Sequence, residues 1–580
     1  MGRRPADSPL TTLTDQLNAI LRQAVFALAQ EELPARWEVP NNAAVGDLSS
    51  PVAFRIAARW HRPPTHVAGE LVAALQQALH SSPLREAVQR IDAQAGFVNL
   101  TLSQQTLTQM VAQILGEGPR YGTSTLGQGT SVLIECVSAN PTGPLSVAHG
   151  RQAAMGDALA RLLRSQGARV VTEYYVNDEG RQIDLLGQSL RARYLQQLGE
   201  SAAIPEGGYQ GAYLVESAAR LKQAHQASLI AQPMEWFVQT GVQEQLQGIQ
   251  EDLTRFGLVF DRWTSQRDIR LSGAIDRALE ALRAKGYLYE HEGAVWFAST
   301  KFGDDKDRVV RKQSGELTYL APDIAYHQLK FQEGFDRLIN LWGPDHHGYI
   351  PRIKASALAL GLPAERLTVR IVQLVTLSRL GKVVPMSKRE GEFVTFREIL
   401  DEVGVDATRF FYLMRTMDSH LDFDLELATS QSQDNPVYYI QYAHARICSI
   451  LARDRAGTLL AGEEVPRAGK RAASEKGTAF DGARLVEPEE RLVLRQLFQF
   501  PVMVSLAAQA LEAHGITVYL QKLAELFHAF YTKQRVITED AALTRARLAL
   551  AQAARIVLAN GLQLLGVSAP ERMEHKQSVL

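Results

Sequence analysis

The sequence predicts a multidomain α/β protein in which a parallel-sheet domain lies between an N-terminal α+β domain and a C-terminal all-α helical bundle. Three observations predict it. A strand, helix, strand pattern occurs twice, over 131–176 and over 337–375; a helical opening that ends in an alternating strand fills the first 112 residues; and beyond Asp424 only helical periodicity remains. A chain of 580 residues is too long for one hydrophobic core, so about three domains are expected, here 1–112, 125–425 and 426–580.

In the first domain Leu17, Ile20, Leu21, Val25 and Leu28 recur at helical spacing, and the run Phe97, Val98, Asn99, Leu100, Thr101, Leu102 reads as a half-buried strand. Read by pattern alone, Phe97 is core and Asn99 faces solvent. In the second domain the apolar run after Ser131 is a buried strand, 140–144 a loop, Val147–Ser165 a helix and Arg169–Val176 the next strand. The pattern returns as strand Arg337–Trp342, loop 343–348, a helix over 353–360 and a strand over 369–375. Two such halves make a doubly wound, Rossmann-type sheet. Between them a helical, polar insertion at 191–270, with Tyr213, Leu214, Ala218 and Leu221 as its apolar texture, reads as a decorating subdomain.

The third domain should pack helices over 437–451, 490–513, 518–531 and 545–565. Residues 456–489 hold few large apolar side chains and read as a connection. From 441 onward 18 basic residues face 14 acidic ones, a slight bias towards a polyanion, whereas the net charge of −1 for the whole chain provides no global field for one. Two cysteines, Cys136 and Cys448, cannot build a disulfide framework, which suits a reducing, cytoplasmic setting. The apolar stretch 548–567 carries Arg555, Asn560 and Gln563 and reads as a packed helix rather than a membrane span.

Two short segments carry chemistry. Pro144, Leu145, Ser146, Val147, Ala148, His149, Gly150 and Arg151 stand where the first sheet strand gives way to its helix, and the free N–H groups and dipole of a helix N-terminus favour phosphate. Pro385, Met386, Ser387, Lys388, Arg389, Glu390 and Gly391 form a polar loop whose Lys388 and Arg389 suit the developing charge of a triphosphate. Each alone is an ordinary turn; together they resemble the two signatures of the class I aminoacyl-tRNA synthetases, with Ser146 to His149 aligned on the first and Pro385 to Arg389 on the second. Ser146 and Ala148 replace the usual His and Gly of the first signature, and Pro385 the first Lys of the second. The resemblance therefore places phosphate contacts chiefly on His149 and Lys388, as catalytic residues, with Pro144, Ser146, Ala148, Met386, Ser387 and Arg389 completing the ATP site.

Residues 138–144, 175–180, 434–446 and 566–573 resemble arginyl-tRNA synthetases in particular. A guanidinium is a planar fork of five donors best met by carboxylates, and the resemblance assigns Tyr319 and Asp323 to the arginine side chain and Asn140 to its amino end. Glu135, a charge in an apolar strand, is a further candidate, as is His346, which with Asp345 and His347 follows the second-half strand. Read without the resemblance, Glu135 is an edge-strand residue facing water and Asp323 a helix N-cap. No metal cluster is read at Asp345, His346 and His347, and no structural zinc is expected.

The resemblance implies ATP with its Mg²⁺, L-arginine and arginine tRNA as substrates, activation that needs tRNA, and transfer to the 2′-OH of the terminal ribose; because a pocket of buried acids rejects competitors that lack the donors, no editing domain is expected. It assigns Phe97 and Asn99 to the tRNA elbow, and Tyr438, Tyr442, Arg446 and Met573 are candidates for the anticodon side. A monomer with no membrane partner is expected. Two other readings stay open at this stage: a tRNA-binding paralogue without catalysis, motivated by Ser146 and Pro385, and a class I enzyme for another amino acid, which would need an apolar pocket where Glu135, Tyr319 and Asp323 stand.

Overall fold

The computed structural model describes residues 13–40, 43–384, 394–453 and 480–573. Near the N-terminus, helices Leu13–Ala29, Val52–Trp60 and Pro64–His80 cover a three-stranded antiparallel sheet ordered Leu48–Ser50, Phe97–Leu102, Val88–Gln94. Val98, Leu100 and Leu102 are buried with Val67, Leu71 and Leu75 in its core. The expected roles of Phe97 and Asn99 are reversed: Phe97 is 42% exposed and Asn99 only 2%. Asn99 lies mid-way along the central strand, opposite Ser49 on one side and Asp92 on the other, and its Oδ1 accepts the Ser49 hydroxyl at 2.8 Å. Phe97 opens the strand just after the turn at Ala95 and Gly96, where Phe54 meets it edge to face at 5.0 Å.

The central sheet has five parallel strands in the order Leu367–Ile371, Arg337–Trp342, Ser131–Glu135, Arg169–Val176, Arg262–Ser265. Ser131–Glu135 is central, so Glu135 is not an edge residue. The helix that follows it, Val147–Ser165, is buried on nearly every side, and small residues let it lie close to the sheet. A methyl group placed on Gly156 would come within 2.9 Å of Cys136 Cβ, so glycine sets the helix-to-strand distance here.

Two expected boundaries are corrected. The insertion does not extend to residue 270, because Arg262–Ser265 is the fifth strand of the sheet; four half-buried residues are too few to show a period. Before it stand helices Arg181–Leu198, Ala212–His225 and Met234–Arg255, whose inner faces share a small core of Leu186, Tyr194, Leu214 and Phe237. The strand expected over 369–375 is two strands in different sheets: Leu367–Ile371 ends the parallel sheet, and Val375–Arg379 pairs with Leu421–Asp424. A three-stranded antiparallel sheet, Leu288–His291, Ala294–Phe297 and Arg308–Arg311, was not evident from periodicity.

Helices Pro436–Arg453, Pro488–Ala510, His514–Lys533 and Ala541–Leu565 form the C-terminal bundle. Most of the expected connection, 454–479, lies outside the described residues. Ala541–Leu565 is the one helix among the described residues long and apolar enough to cross a membrane, and its Leu550, Val557, Leu558 and Leu562 are fully buried in the core. Arg409, also fully buried, ion-pairs with Asp157 of the Val147–Ser165 helix and donates to the Phe256 carbonyl at 2.7 Å and the Leu565 carbonyl at 3.0 Å. One guanidinium thus ties the sheet helix, the end of the insertion and the last bundle helix together.

Candidate active site

Chain connections leave the central strand in both directions: Ser131–Glu135 leads to Arg169–Val176 on one side and neighbours Arg337–Trp342, from the second half, on the other. The carboxyl ends of such a pair leave a crevice, and a cleft of about 970 Å³ opens there. At its lip Val137 and Ser138 have φ of 68° and 39°, a conformation costly for a β-branched residue. This turn brings the Ser138 hydroxyl back to Glu135 Oε1 at 3.1 Å and to the Tyr175 N–H at 3.1 Å.

His149 lines the cleft from the first turn of Val147–Ser165. Its Nδ1 accepts the Ser146 backbone N–H at 3.1 Å, so the ring proton resides on Nε2, leaving that edge a donor at the positive end of a helix dipole. That arrangement suits an anion. Pro144 also lines the cleft; Ser146 and Ala148 are half-buried and do not. Met386, Ser387, Lys388 and Arg389 lie outside the described residues. The flanks of that segment are both anchored: Val384 N–H donates to Leu377 O at 2.9 Å, Thr395 bridges to Ser146, and Phe396 N–H donates to Leu145 O at 2.8 Å. Residues that follow the second motif are therefore paired with residues that open the first.

Tyr319, Asp323, Asn140, His346 and Glu135 all line the same cleft. Tyr319 is 58% exposed and begins helix Leu320–Gln332, so Asp323 is one turn inside the helix rather than its N-cap. Among the described residues the Asp323 carboxylate accepts no hydrogen bond and forms no ion pair, and burial together with the Glu135 charge pushes its pKa up to about 7. Asn140 Nδ2 donates to Gln182 Oε1 at 2.7 Å. His346 is exposed, 3.4 Å from Asp345 and 6.0 Å from the Trp342 ring. Asn177, within the segment 175–180, lines the cleft with a buried Oδ1 that has no donor among the described residues.

Glu135 does not face water but is buried and ion-paired. Its Oε2 accepts the Lys330 ammonium at 2.8 Å, and Lys330 also donates to Asn340 Oδ1 at 2.9 Å and lies 3.7 Å from Glu173. Glu173, opposite Glu135 on the next strand, takes the Tyr326 hydroxyl at 2.8 Å, the Thr264 hydroxyl at 2.6 Å and Arg262 at 2.7 Å. Burial pushes its carboxyl up, but Lys330, Thr264 and Arg262 outweigh that and hold it below the usual range. Sequence reasoning missed Lys330 and Glu173, although Glu173 interrupts an apolar strand just as Glu135 does.

The insertion is also more than decoration. Gly208, Tyr209, Gln210 and Tyr213 line the cleft, and the Tyr213 hydroxyl donates to the Thr142 carbonyl at 2.6 Å.

Three family models match the chain: the arginyl tRNA synthetase N terminal domain over 11–102, the tRNA synthetases class I (R) catalytic domain over 110–417 and the DALR anticodon binding domain over 440–573. An arginine–tRNA ligase of Moorella thermoacetica is 44% identical over 569 residues, 97% of this chain and 98% of the relative. The chain belongs to the arginyl-tRNA synthetase family. The Bacillus subtilis arginine–tRNA ligase is 41% identical over 97% of this chain and all of the relative. The Thermus thermophilus arginyl-tRNA synthetase shares the fold, with a TM-score of 0.74 at 23% identity over 97% of this chain and 100% of that one.

In this arginyl-tRNA synthetase chain the residues expected to face RNA lie on two separate surfaces. Phe97 is exposed on the N-terminal sheet, whereas Asn99 is buried and already bonded to Ser49. Tyr438, Tyr442 and Arg446 follow one stripe of helix Pro436–Arg453; the two tyrosine rings stack at 6.3 Å, Tyr442 stacks on His528 at 5.9 Å, and Arg446 lies 4.3 Å above Tyr531. All three are half-buried, as is Met573 at the far end of the bundle.

Proposed function

We propose that this chain activates L-arginine with ATP and esterifies it to arginine tRNA, with the boundaries 1–112, 125–425 and 426–580 separating elbow recognition, catalysis and anticodon recognition. The observation that carries the reading is the Asp323 carboxylate: half-buried, without a partner among the described residues, and set in the crevice where His149 offers a donor at a helix N-terminus. An acid left in that condition is a site for a cation, and a guanidinium supplies charge and paired donors at once.

In this reading the guanidinium lies between Asp323 and Glu135 beside Tyr319, and Asn140 holds the substrate's amino end, with His346 at the rim. His149 Nε2–H and Lys388 meet the ATP phosphates. Mg²⁺ enters with ATP as part of the substrate, neutralising phosphate charge. The chain forms no covalent intermediate; its residues align the arginine carboxylate with the α-phosphate and stabilise charge as pyrophosphate departs. The tRNA's terminal 2′-OH then attacks the adenylate. Phe97 stacks on a base of the elbow, and the Tyr438, Tyr442 and Arg446 stripe with Met573 meets the anticodon side. The protein acts as a monomer in the cytoplasm.

Arginine-dependent exchange of pyrophosphate into ATP tests the proposal. Exchange that needs both arginine and tRNA is expected; tRNA binding without any exchange would establish the non-catalytic paralogue instead.

A further inference from the structure

Beneath the proposed arginine pocket is a charge that no motif announced. Lys330 is 1% exposed, and burying an ammonium is costly unless it is paired and fully bonded. Here it is: Glu135 at 2.8 Å, Asn340 at 2.9 Å, Glu173 at 3.7 Å, with the Tyr326 ring face at 4.6 Å. Glu173 has Arg262 and two hydroxyls besides. For Glu135, Lys330 is the one cation among the described residues within ion-pair distance.

The same ammonium reaches the other acid of the pocket through hydrogen bonds. Asn340, whose Oδ1 it holds, donates Nδ2–H to His327 Nε2 at 2.9 Å, and His327 Nδ1–H donates to the Asp323 carbonyl at 2.8 Å. These roles are self-consistent for one neutral tautomer. Asp323, His327 and Lys330 stand at i, i+4 and i+7 of Leu320–Gln332, one face of the helix, turned towards the two central strands.

We propose that Lys330 is a positioning and specificity-setting residue for arginine: an internal ammonium that offsets Glu135, fixes its carboxylate, and through Asn340 and His327 holds the Asp323 turn, so that the pocket presents one unmatched acid to one guanidinium. This rests on the pocket being arginine's. Without Lys330, Glu135 faces Glu173 across the strand pair and Asp323 across the cleft, and a single guanidinium cannot offset the excess. Removing one partner of a buried pair leaves the other uncompensated.

The test is steady-state aminoacylation by the full chain with tRNA, comparing the parent with Lys330→Met, Glu135→Gln, the double variant and Asp323→Asn. Lys330→Met is expected to raise the arginine KM about tenfold or more while the ATP KM stays within about twofold. In the Glu135→Gln background the same substitution should add less than about threefold, since the two residues act as one unit. An arginine KM close to the parent's, an ATP KM that rises in step, or fully multiplicative effects of the two substitutions would overturn the proposal. Should Lys330→Met fail to fold, Lys330→Gln, which retains a polar N–H donor but not the charge, is read in the same way. If Asp323→Asn leaves arginine KM unchanged, the pocket assignment itself falls; if it weakens arginine and Lys330→Met does not, only the role of Lys330 falls.

Discussion

Asp323 gives the pocket a titration that can be read directly in binding. Burial and the Glu135 charge move its pKa from 3.8 to about 7, so the unliganded carboxyl is about one-tenth ionised at pH 6 and about nine-tenths at pH 8. Only the ionised form matches a guanidinium, and apparent affinity scales with the competent fraction. Arginine binding should therefore tighten about tenfold between pH 6 and pH 8. His327, which burial and Lys330 push down to about 4, stays neutral across that window. A guanidinium that restored the ordinary pKa would contribute at most about 4 kcal/mol, at 1.36 kcal/mol per pH unit. The sign for stability follows: the folded pKa is raised, so ionising Asp323 destabilises the unliganded protein as pH rises from about 4 towards 7, and bound arginine removes that loss. The assay is titration calorimetry of L-arginine at pH 6, 7 and 8. Asp323→Asn should weaken binding at pH 8 roughly a hundredfold and abolish the pH dependence. A flat profile in the parent, or an unchanged slope in the Asn variant, would refute the reasoning.

Four further outcomes are expected. Lys388→Ala should lower kcat by about 10²–10³ while leaving arginine affinity nearly unchanged, as for a donor used mainly in the transition state; pre-steady-state adenylate formation and arginine titration separate the two. Phe97→Ala should raise the tRNA KM on the order of tenfold, the value of one stacked base, with thermal unfolding nearly unchanged because the ring is largely exposed; a fall in Tm without a change in tRNA KM would return Phe97 to a packing role. Gly156→Ala forces a methyl onto Cys136 and should cost about 1–3 kcal/mol in urea unfolding. In the parent, burial raises the Cys136 thiol far above its ordinary value, so it should react with thiol reagents only on unfolding.

The sequence was most informative where structure is local and uninterrupted. Val147–Ser165, Arg169–Val176 and Arg337–Trp342 are bounded as their periodicity indicated, because each is long enough to show a period and ends on a turn. The strand Arg262–Ser265 was hidden because four residues carry almost no period and its partner, Arg169–Val176, lies far away in sequence. Glu135 was legible as an acid out of place in an apolar strand, whereas Asp323 stood out only through the family resemblance and otherwise read as a helix N-cap. Lys330 carries the same signal on an apolar helix face, yet its meaning depends on Glu135, 195 residues earlier, and a pair so distant is set by topology alone. Gly208 and Tyr209 left no trace in pattern, because a small polar loop reads alike whether it faces solvent or roofs a cleft, and Tyr213 read only as apolar texture of a helix.

The central claim is that this cleft selects arginine and no other amino acid for transfer to tRNA. Aminoacylation of total tRNA by the full chain, with each standard amino acid supplied singly in labelled form, tests it most directly. The account requires acid-precipitable label from arginine alone, dependent on ATP. Charging with another amino acid, or with none while tRNA still binds, would contradict it.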